Sequence, residues 1–469
     1  MLLKQHIRIV IKVILVIVAM FSLYFSFHFF TELLHNDFHN HVFNPNISLL
    51  KLQEKDLDFR SGLTEIYRQS LNGLVFYTCI LLSCVLCFVF LRFRSTTNFL
   101  WTTSWTLAVA FNIGTFLICW ITLRYASNHD LDMLISDTEE LTDFQQNHTY
   151  ISSQNNKREP PIFIKTGLFI QSLQFNTAND VVITCYIWQK YDHKNDSLQF
   201  KLDTGFVLPE ATEINITQAY RKDYEDFTVY GWDVETTIRE TFNYTNYPFD
   251  FQNVWVRMWH KNFDRNVILI PDFEAYKNID SKAKMGIEEH IVLNGWDITE
   301  TFFGYRNHNY NSNFGMPDYV GLEKFPELHY CILVQRYFLT TFISELLPIL
   351  TILFILFVCA GIAHDEAKDD FFRFNVMELL SLVAAMVFVI ILLQIDIRRK
   401  FSSSEILYIE YFYFMLYFVI FGVLFNYILL NQFKHLKIIQ YEDNILIKVS
   451  MLPVSFGYIL YVTYLIFSY

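Results

Sequence analysis

No basic stripe runs through this chain: 36 Lys and Arg stand against 48 Asp and Glu, for a formal net charge of −12. Recognition of nucleic acid needs clustered positive charge facing phosphate, so no nucleic-acid partner is expected. The polar part of the chain also lacks a Cys-x-x-Cys framework for zinc. Of seven cysteines, Cys79, Cys84, Cys87, Cys119 and Cys359 lie in apolar runs, where a thiol is a small packing residue. Only Cys185 and Cys331 remain in polar surroundings, which allows one disulfide at most. A nucleophile elbow, a phosphate-cradling glycine loop and a metalloprotease helix are all missing. His260 and His308 have no His/Cys/Asp neighbours at ligand spacing, and His35, His39 and His41 with Asp37 do not suit one short rigid element. The expectation is therefore a non-enzyme without cofactor or metal. No internal repeat with a period of roughly 20–50 residues is visible. Asn-x-Ser/Thr triplets such as Asn215-Ile-Thr217 and Asn243-Tyr-Thr245 occur, as an Asn-rich chain produces them by chance.

Apolar residues, by contrast, are abundant. They make up 53% of the 469 residues, where a soluble domain sits nearer ~45–50%. Runs close to the ~20 residues that cross a hydrocarbon core fall at 13–31, 74–94, 99–123, 338–363, 376–395, 406–430 and 447–468. The first follows the basic start "MLLKQHIRIVIK". It is longer than the apolar region of a signal peptide and no small-residue cleavage site follows it, so it is expected to stay as an anchor. Lys4, Arg8 and Lys12 before the first run, and Arg92 and Arg94 between the second and third, place those segments on the cytoplasmic side of a cell membrane. The insert at 125–337 is then outside. Arg398, Arg399 and Lys400 oppose that assignment, whereas Lys434, Lys437 and Lys448 agree with it.

The insert reads as β. "IFIKTGLFIQSLQF", "DVVITCYIWQKY", "FTVYGWDVETTIRETF", "NVWVRMWH", "HIVLNGWDITETFFGY" and "ELHYCILVQRYF" alternate or are rich in β-branched and aromatic residues, with Asn, Asp, Pro and Gly between them. Such a series implies an antiparallel β-sandwich, entered through the polar stretch "HTYISSQNNKREPP" at 148–161. The expected layout is a membrane protein of β plus α class. It has an accessory three-helix region at 1–124 with an outer loop at 34–71, a linker at 125–160, a β-sandwich at 161–336 and a four-helix membrane domain at 337–469.

Between two of these strands, "FNYTNYPFDFQNVWVRMW" carries Tyr247-Pro248-Phe249-Asp250. Pro presets φ and Asp bonds the backbone in a turn, but Tyr247 and Phe249 have no such task. They either cap the sandwich core or pack against another element. This motif is followed by Gln252, by a last strand "ILVQR" ending in Arg336, and by Pro348 inside the next apolar helix. Together with a sandwich that leads straight into four apolar helices, the series resembles the pentameric ligand-gated ion channels, the Cys-loop receptor superfamily, over about 160–469. Glu240 and Val254 stand where the cysteines that name the family would be, so the likeness is to its bacterial members. The loop between the fifth and sixth runs also has no proline. The resemblance implies a homo-oligomer, a pentamer, in membrane lipid and gated by a small-molecule ligand. It places Tyr247, Pro248, Phe249 and Asp250 at the foot of the sandwich, with Asp250 near Arg336, and includes Pro348 in the coupling path.

In "RFNVMELLSLVAAMVFVIILLQ", Asn375, Glu378 and Ser381 recur every third residue, a helical stripe. Helical spacing brings Leu379, Leu382, Met386 and Val389 onto or beside it, which defines a candidate pore helix at about 373–394. The resemblance implies a pore lining with Asn375 at the inner end and Leu382 midway, where a ring of leucines gates by dewetting. Glu378 is ionisable within a span and so a functional candidate. With Asp369 and Asp370 at the cytoplasmic mouth it favours cations; its other reading is burial between helices, protonated or paired with Arg373. The resemblance further implies a ligand box between sandwiches, drawn from Trp188, Pro209, Glu210, Trp259, His260, Tyr305, Tyr310 and Tyr319. Aromatic faces hold an amine with ~0.5–2 kcal/mol per contact. With aromatics at 18% of the chain, a given Trp reads first as sandwich core. The connection "NHNYNSNFGMPDYVGLEKFPE" is the better site candidate, because long aromatic loops between strands are commonly functional. The alternative is a seven-span sensory receptor with an outer ligand domain and no pore.

Overall fold

The computed structural model describes residues 97–125, 131–154, 160–193, 202–316, 319, 325–362, 376–401, 405–432 and 445–467. The spans expected at 13–31 and 74–94, the loop at 34–71 with its histidines, and Asp369, Asp370, Arg373 and Asn375 lie outside them. The described chain forms two compact units. One holds 97–120, 350–388 and 411–469 where described, the other 121–349 and 389–410.

Alternation of apolar and polar residues builds the sheets of the second unit. Along β3 (Asp180–Asp192), Val181, Ile183, Cys185 and Ile187 are buried while their neighbours are partly open. Along β7 (Phe251–His260), Val254, Val256, Met258 and His260 turn inward. A strand places successive side chains on opposite faces, so each such run commits one face to the core. The remaining strands are β1 (Met133–Ile135), β2 (Ile162–Phe175), β4 (Phe206–Val207), β5 (Ala211–Asp223), β6 (Phe227–Arg239), β8 (Val267–Pro271), β9 (Trp296–His308) and β10 (Phe325–Arg336). They form two five-stranded sheets in the orders β1-β9-β10-β7-β4 and β5-β6-β3-β2-β8. Every pairing is antiparallel except that of β2 with β8. The sheets are joined through their inner faces: the Tyr305 hydroxyl donates to the Leu269 carbonyl at 2.8 Å, and Phe303 meets Phe273 edge-on at 6.1 Å.

Four expectations change here. The stretch assigned as a linker contains β1, which pairs with β9, and helix α2 (Thr138–Gln154). Helix α2 forms without an apolar run because its start is capped: Asp137 Oδ1 accepts from the Glu139 and Glu140 amides at 2.9 and 2.8 Å, and Glu140 Oε2 accepts from Ser136 N. Three strands, β4, β5 and β8, stand where none was expected. The strand expected from His290 begins at Trp296, after Gly295 at φ +81°. Cys185 and Cys331 are buried on different sheets and form no disulfide, and burial pushes the Cys185 thiol up to about 12.

Five helices of the described residues are long and apolar enough to cross a membrane, which makes this a membrane-embedded protein of β plus helical class. These are helix α1 (Thr97–Tyr125), the segment through α4 (Leu347–Ile362), α5 (Val376–Phe401), α6 (Tyr408–Gln432) and α7 (Ile445–Phe467). Before α4 come one α-turn, α3 (Phe338–Thr341), and a π-turn, Phe342–Leu346. Pro348 follows at once; a proline has no N–H to continue the ladder and its ring crowds the carbonyl four residues earlier, strain that a widened turn accommodates. In the first unit α1 packs on α7 through small residues: the Ser104 hydroxyl donates to the Val449 carbonyl at 2.6 Å, and Gly114 leaves room for Leu460. The candidate pore helix runs to Phe401, seven residues beyond its expected end at 394.

Candidate functional site

Strand β7 places Arg257 and Trp259 two residues apart on the outer face of its sheet, and neighbouring strands and turns supply their partners. Arg257 Nη2 donates to Glu210 Oε1 at 2.6 Å and Nη1 to Glu327 Oε2 at 3.1 Å. The guanidinium also lies 5.5 Å from the Trp259 ring centre. His308 Nε2 is 3.4 Å from Glu327 Oε2, and its ring stacks between Tyr310 and His329. The Tyr310 hydroxyl donates to Glu327 Oε1. Glu327 is therefore a nearly buried carboxylate with a donor on each oxygen, which is what holding a charge away from water requires.

Residues 309–316 and 319, after β9, fold back over this group. Trp259, Phe263, Tyr310, Phe314 and Tyr319 form one aromatic cluster, with Trp259 5.4 Å from Phe263 and 5.6 Å from Tyr310, and Phe314 5.3 Å from Tyr319. At the loop tip Phe314 adopts φ +52°, a conformation that a bulky side chain takes only when its surroundings hold it there. Asn313 Oδ1 and Ser312 Oγ fasten the tip by accepting from the Gly315 and Phe314 amides. A cavity of about 20 Å³ lies behind the rings, lined by Trp259, Phe263, Tyr319 and Glu327 among others; that is room for one water.

Burial raises the carboxyls of Glu210 and Glu327, and Arg257 works against that rise at both. Burial lowers His308, and pushes His329 down to about 4, so both rings are neutral near pH 7. The cluster sets two acidic side chains, Glu210 and Glu327, against one guanidinium, beside several ring faces. That combination suits an organic cation.

Of the residues expected to line a ligand box, Glu210, Trp259, Tyr310 and Tyr319 meet here. Pro209 sits half-buried at the edge beside Glu210. The other three lie elsewhere. Tyr305 is core, stacked at 4.0 Å on Phe144 of α2. His260 points inward: its Nδ1 accepts from Asn262 N, which leaves the proton on Nε2 to be donated to the Tyr191 hydroxyl at 3.1 Å. Tyr191 in turn donates to Gln189 Oε1 at 2.7 Å. Trp188 lies on the outer face of the opposite sheet, over Gly167, where its Nε1 donates to Asp272 Oδ2 at 2.9 Å. Arg257, Phe263, Phe314 and Glu327 belong to the cluster without having been expected. For Arg257 the signal was available, since it shares the face of Trp259 by strand alternation.

A second concentration of contacts surrounds Tyr247 to Asp250, where the Tyr247–Pro248 bond is cis. Asp250 accepts from Arg336 Nε at 2.7 Å and Nη2 at 3.0 Å, and from Gln252 Nε2 at 3.0 Å. The guanidinium lies 3.9 Å from the Trp296 ring centre, 4.9 Å from Tyr247 and 5.6 Å from Phe401. Tyr244 and Tyr247 rest on Phe401 at the end of α5, and Phe249 stacks on Phe338 of α3. Tyr408 N, at the start of α6, donates to the Thr245 carbonyl at 2.8 Å. Carboxylates hold the end of α5 as well: Lys400 to Glu345 at 2.7 Å and Arg398 to Glu410 at 2.6 Å.

On α5, Leu379 and Met386 are buried within the chain along with Val383, Ile390 and Ile397. They belong to the packed face and so leave the expected pore stripe. Glu378 and Val389 are exposed and Leu382 half-exposed. Among the described residues no group of three or more His, Cys, Asp or Glu is placed to hold a metal. No protein-family model and no curated protein matches this chain.

Proposed function

We propose that this chain is a subunit of a ligand-gated ion channel of the pentameric, Cys-loop-like type, with the two sheets forming an outer β-sandwich. The observation that carries the reading is the clamp at Tyr247 to Asp250. One short loop grips the last residue of the final strand, Arg336, and also touches the ends of α3, α5 and α6. A displacement of the strands at this point must displace three helix ends, which is the mechanical need of a channel opened by an outer ligand.

The ligand is proposed to be an organic cation received by Trp259, Tyr310, Phe314 and Tyr319 over Glu327. Trp188 on the opposite sheet fits the same reading. In a ring of identical subunits a site between neighbours draws on two opposite faces of each chain, one with the aromatic cluster and one with Trp188. Along α5 the exposed face bears Glu378, Ser381, Leu382 and Val389, and five such faces around an axis give a carboxylate ring that favours cations.

Single-particle electron microscopy of the purified full chain tests the assembly, and bilayer currents test conduction. Five-fold particles with cation currents are the expected result. Monomers or dimers without current would refute the channel and favour the seven-span receptor.

A further inference from the structure

We infer that Asn215 is an acceptor for N-linked sugar. This rests on the outer placement of the sheets in the proposed function. The triplet Asn215-Ile216-Thr217 lies in β5, whose residues from Thr212 to Asp223 are all exposed. β5 is also the outermost strand of its sheet. In an extended strand residues i and i+2 share a face, so the Asn215 amide and the Thr217 hydroxyl lie on the same exposed side of β5, about 7 Å apart by the strand rise. Among the described residues neither group is engaged in a hydrogen bond. That face is polar, since Asn215 pairs in register with Glu235 and Thr217 with Asp233. Ile214 and Ile216 take the other side, opposite Thr236 and Val234.

The other triplets among the described residues are less suited. Asn147 lies within α2, where positions i and i+2 do not face each other, and the Thr149 hydroxyl is committed to the Gln145 carbonyl at 2.8 Å. Asn243 has its Oδ1 bonded by Thr245 N and Oγ1 at 2.9 and 2.6 Å, and what sets this triplet aside is its position. Thr245 is itself bonded to Tyr408, where a membrane span begins, so a sugar at Asn243 would meet the lipid boundary.

In the reaction the Asn215 Nδ2 forms a bond to the anomeric carbon of a lipid-pyrophosphate-linked oligosaccharide. The bond from that carbon to the pyrophosphate oxygen breaks, and one amide proton leaves with the lipid pyrophosphate. A bulky hydrated group at this position also shields a long edge strand, whose open backbone would otherwise pair with another chain.

The test expresses the full chain in a eukaryotic secretory host and compares its gel mobility before and after peptide N-glycosidase. A one-glycan step is expected in the wild type and in Thr217→Ser, and its loss in Asn215→Gln and Thr217→Ala. A step that survives Asn215→Gln overturns the assignment. Sugar found only at other triplets overturns Asn215 while leaving the outer placement standing. If no sugar is found, Thr217→Cys is labelled with a membrane-impermeant maleimide. Labelling on intact cells overturns the sugar assignment alone, and labelling only after permeabilisation overturns the outer placement with it.

Discussion

Replacing Asp250 by Asn removes one charge from a site built for two. The Asp250 side chain is 1% exposed and that of Arg336 15%, so neither ion is well hydrated when left alone. Breaking a buried ion pair by removing one partner costs about 3–5 kcal/mol, because the other charge stays desolvated. Asp250→Asn should fall at the lower end, since Asn retains an oxygen for one Arg336 N–H. Arg336→Gln should cost more. It strands Asp250 with Gln252 as its remaining donor, and it removes the guanidinium from the Trp296 face, worth a further ~0.5–2 kcal/mol. The double variant leaves no unpaired charge and should recover part of the loss, giving a coupling energy of about 2–3 kcal/mol. Thermal unfolding of the detergent-solubilised protein measures the three variants against wild type. The same cycle applied to half-maximal opening of the proposed channel should show a shift of roughly 30- to 150-fold for each single variant, the equivalent of about 2–3 kcal/mol. A coupling below about 0.5 kcal/mol would refute the argument that the pair acts as one unit.

Three further outcomes are expected. His260 is pushed down by burial to about 4, so the unfolded chain takes up a proton that the folded chain refuses; the stability this confers is complete above about 6.5 and is lost as pH falls toward 4. Each unit is worth about 1.4 kcal/mol, so His260→Gln should flatten the fall in Tm between pH 6.5 and 4 by the equivalent of about 3 kcal/mol, and an unchanged slope would contradict the burial argument. A methyl group at Gly167 would stand 2.3 Å from the Trp188 ring; Gly167→Ala should destabilise by about 1–3 kcal/mol, and Trp188→Leu in the same chain should relieve most of that in urea melts. Trp259→Ala should weaken binding of tetramethylammonium, followed by thermal shift, about 5- to 30-fold for a lost cation–π face, while Trp188→Ala in a monomeric preparation should leave it unchanged.

How legible the fold was depended on whether burial left a period in the chain. β3 and β7 bury every second residue, and their alternation marks them. β5 has no such mark, because almost all of its residues are exposed on both faces. β8 has the reverse problem: five consecutive buried residues over Val267–Pro271 give neither a strand nor a helix period. α2 escapes a reading based on apolar runs because its start is set by Asp137 and Glu140. The aromatic cluster was half legible. Trp259, Tyr310 and Tyr319 advertise themselves by type, but Glu327 is one carboxylate in an apolar strand, and its role emerges once pairing sets it beside Arg257. Trp188 carries the same chemical label as Trp259, and no local pattern tells which sheet turns which face to solvent.

The same reasoning explains why the pore stripe shifts around α5. Polar residues Glu378 and Ser381 mark the exposed side correctly, but extending the stripe through Leu379 and Met386 follows hydrophobic spacing toward the face that packs within the chain. Leu379, Val383, Met386, Ile390 and Ile397 recur at steps of three, four and seven, one continuous buried line. Met377, Ser381, Phe388, Leu392 and Ile395 occupy the opposite side, all exposed. A segment that is apolar on all sides cannot show by composition which side meets its own chain and which meets copies of itself or lipid. The exposed line carries Glu378 near one end and Asp396 and Arg399 near the other, with large apolar side chains between. In the proposed ring, a constriction would therefore form at Phe388 and Leu392 as readily as at Leu382, with the Glu378 carboxylates concentrating cations at one mouth and Asp396 already paired with Lys400 at the other.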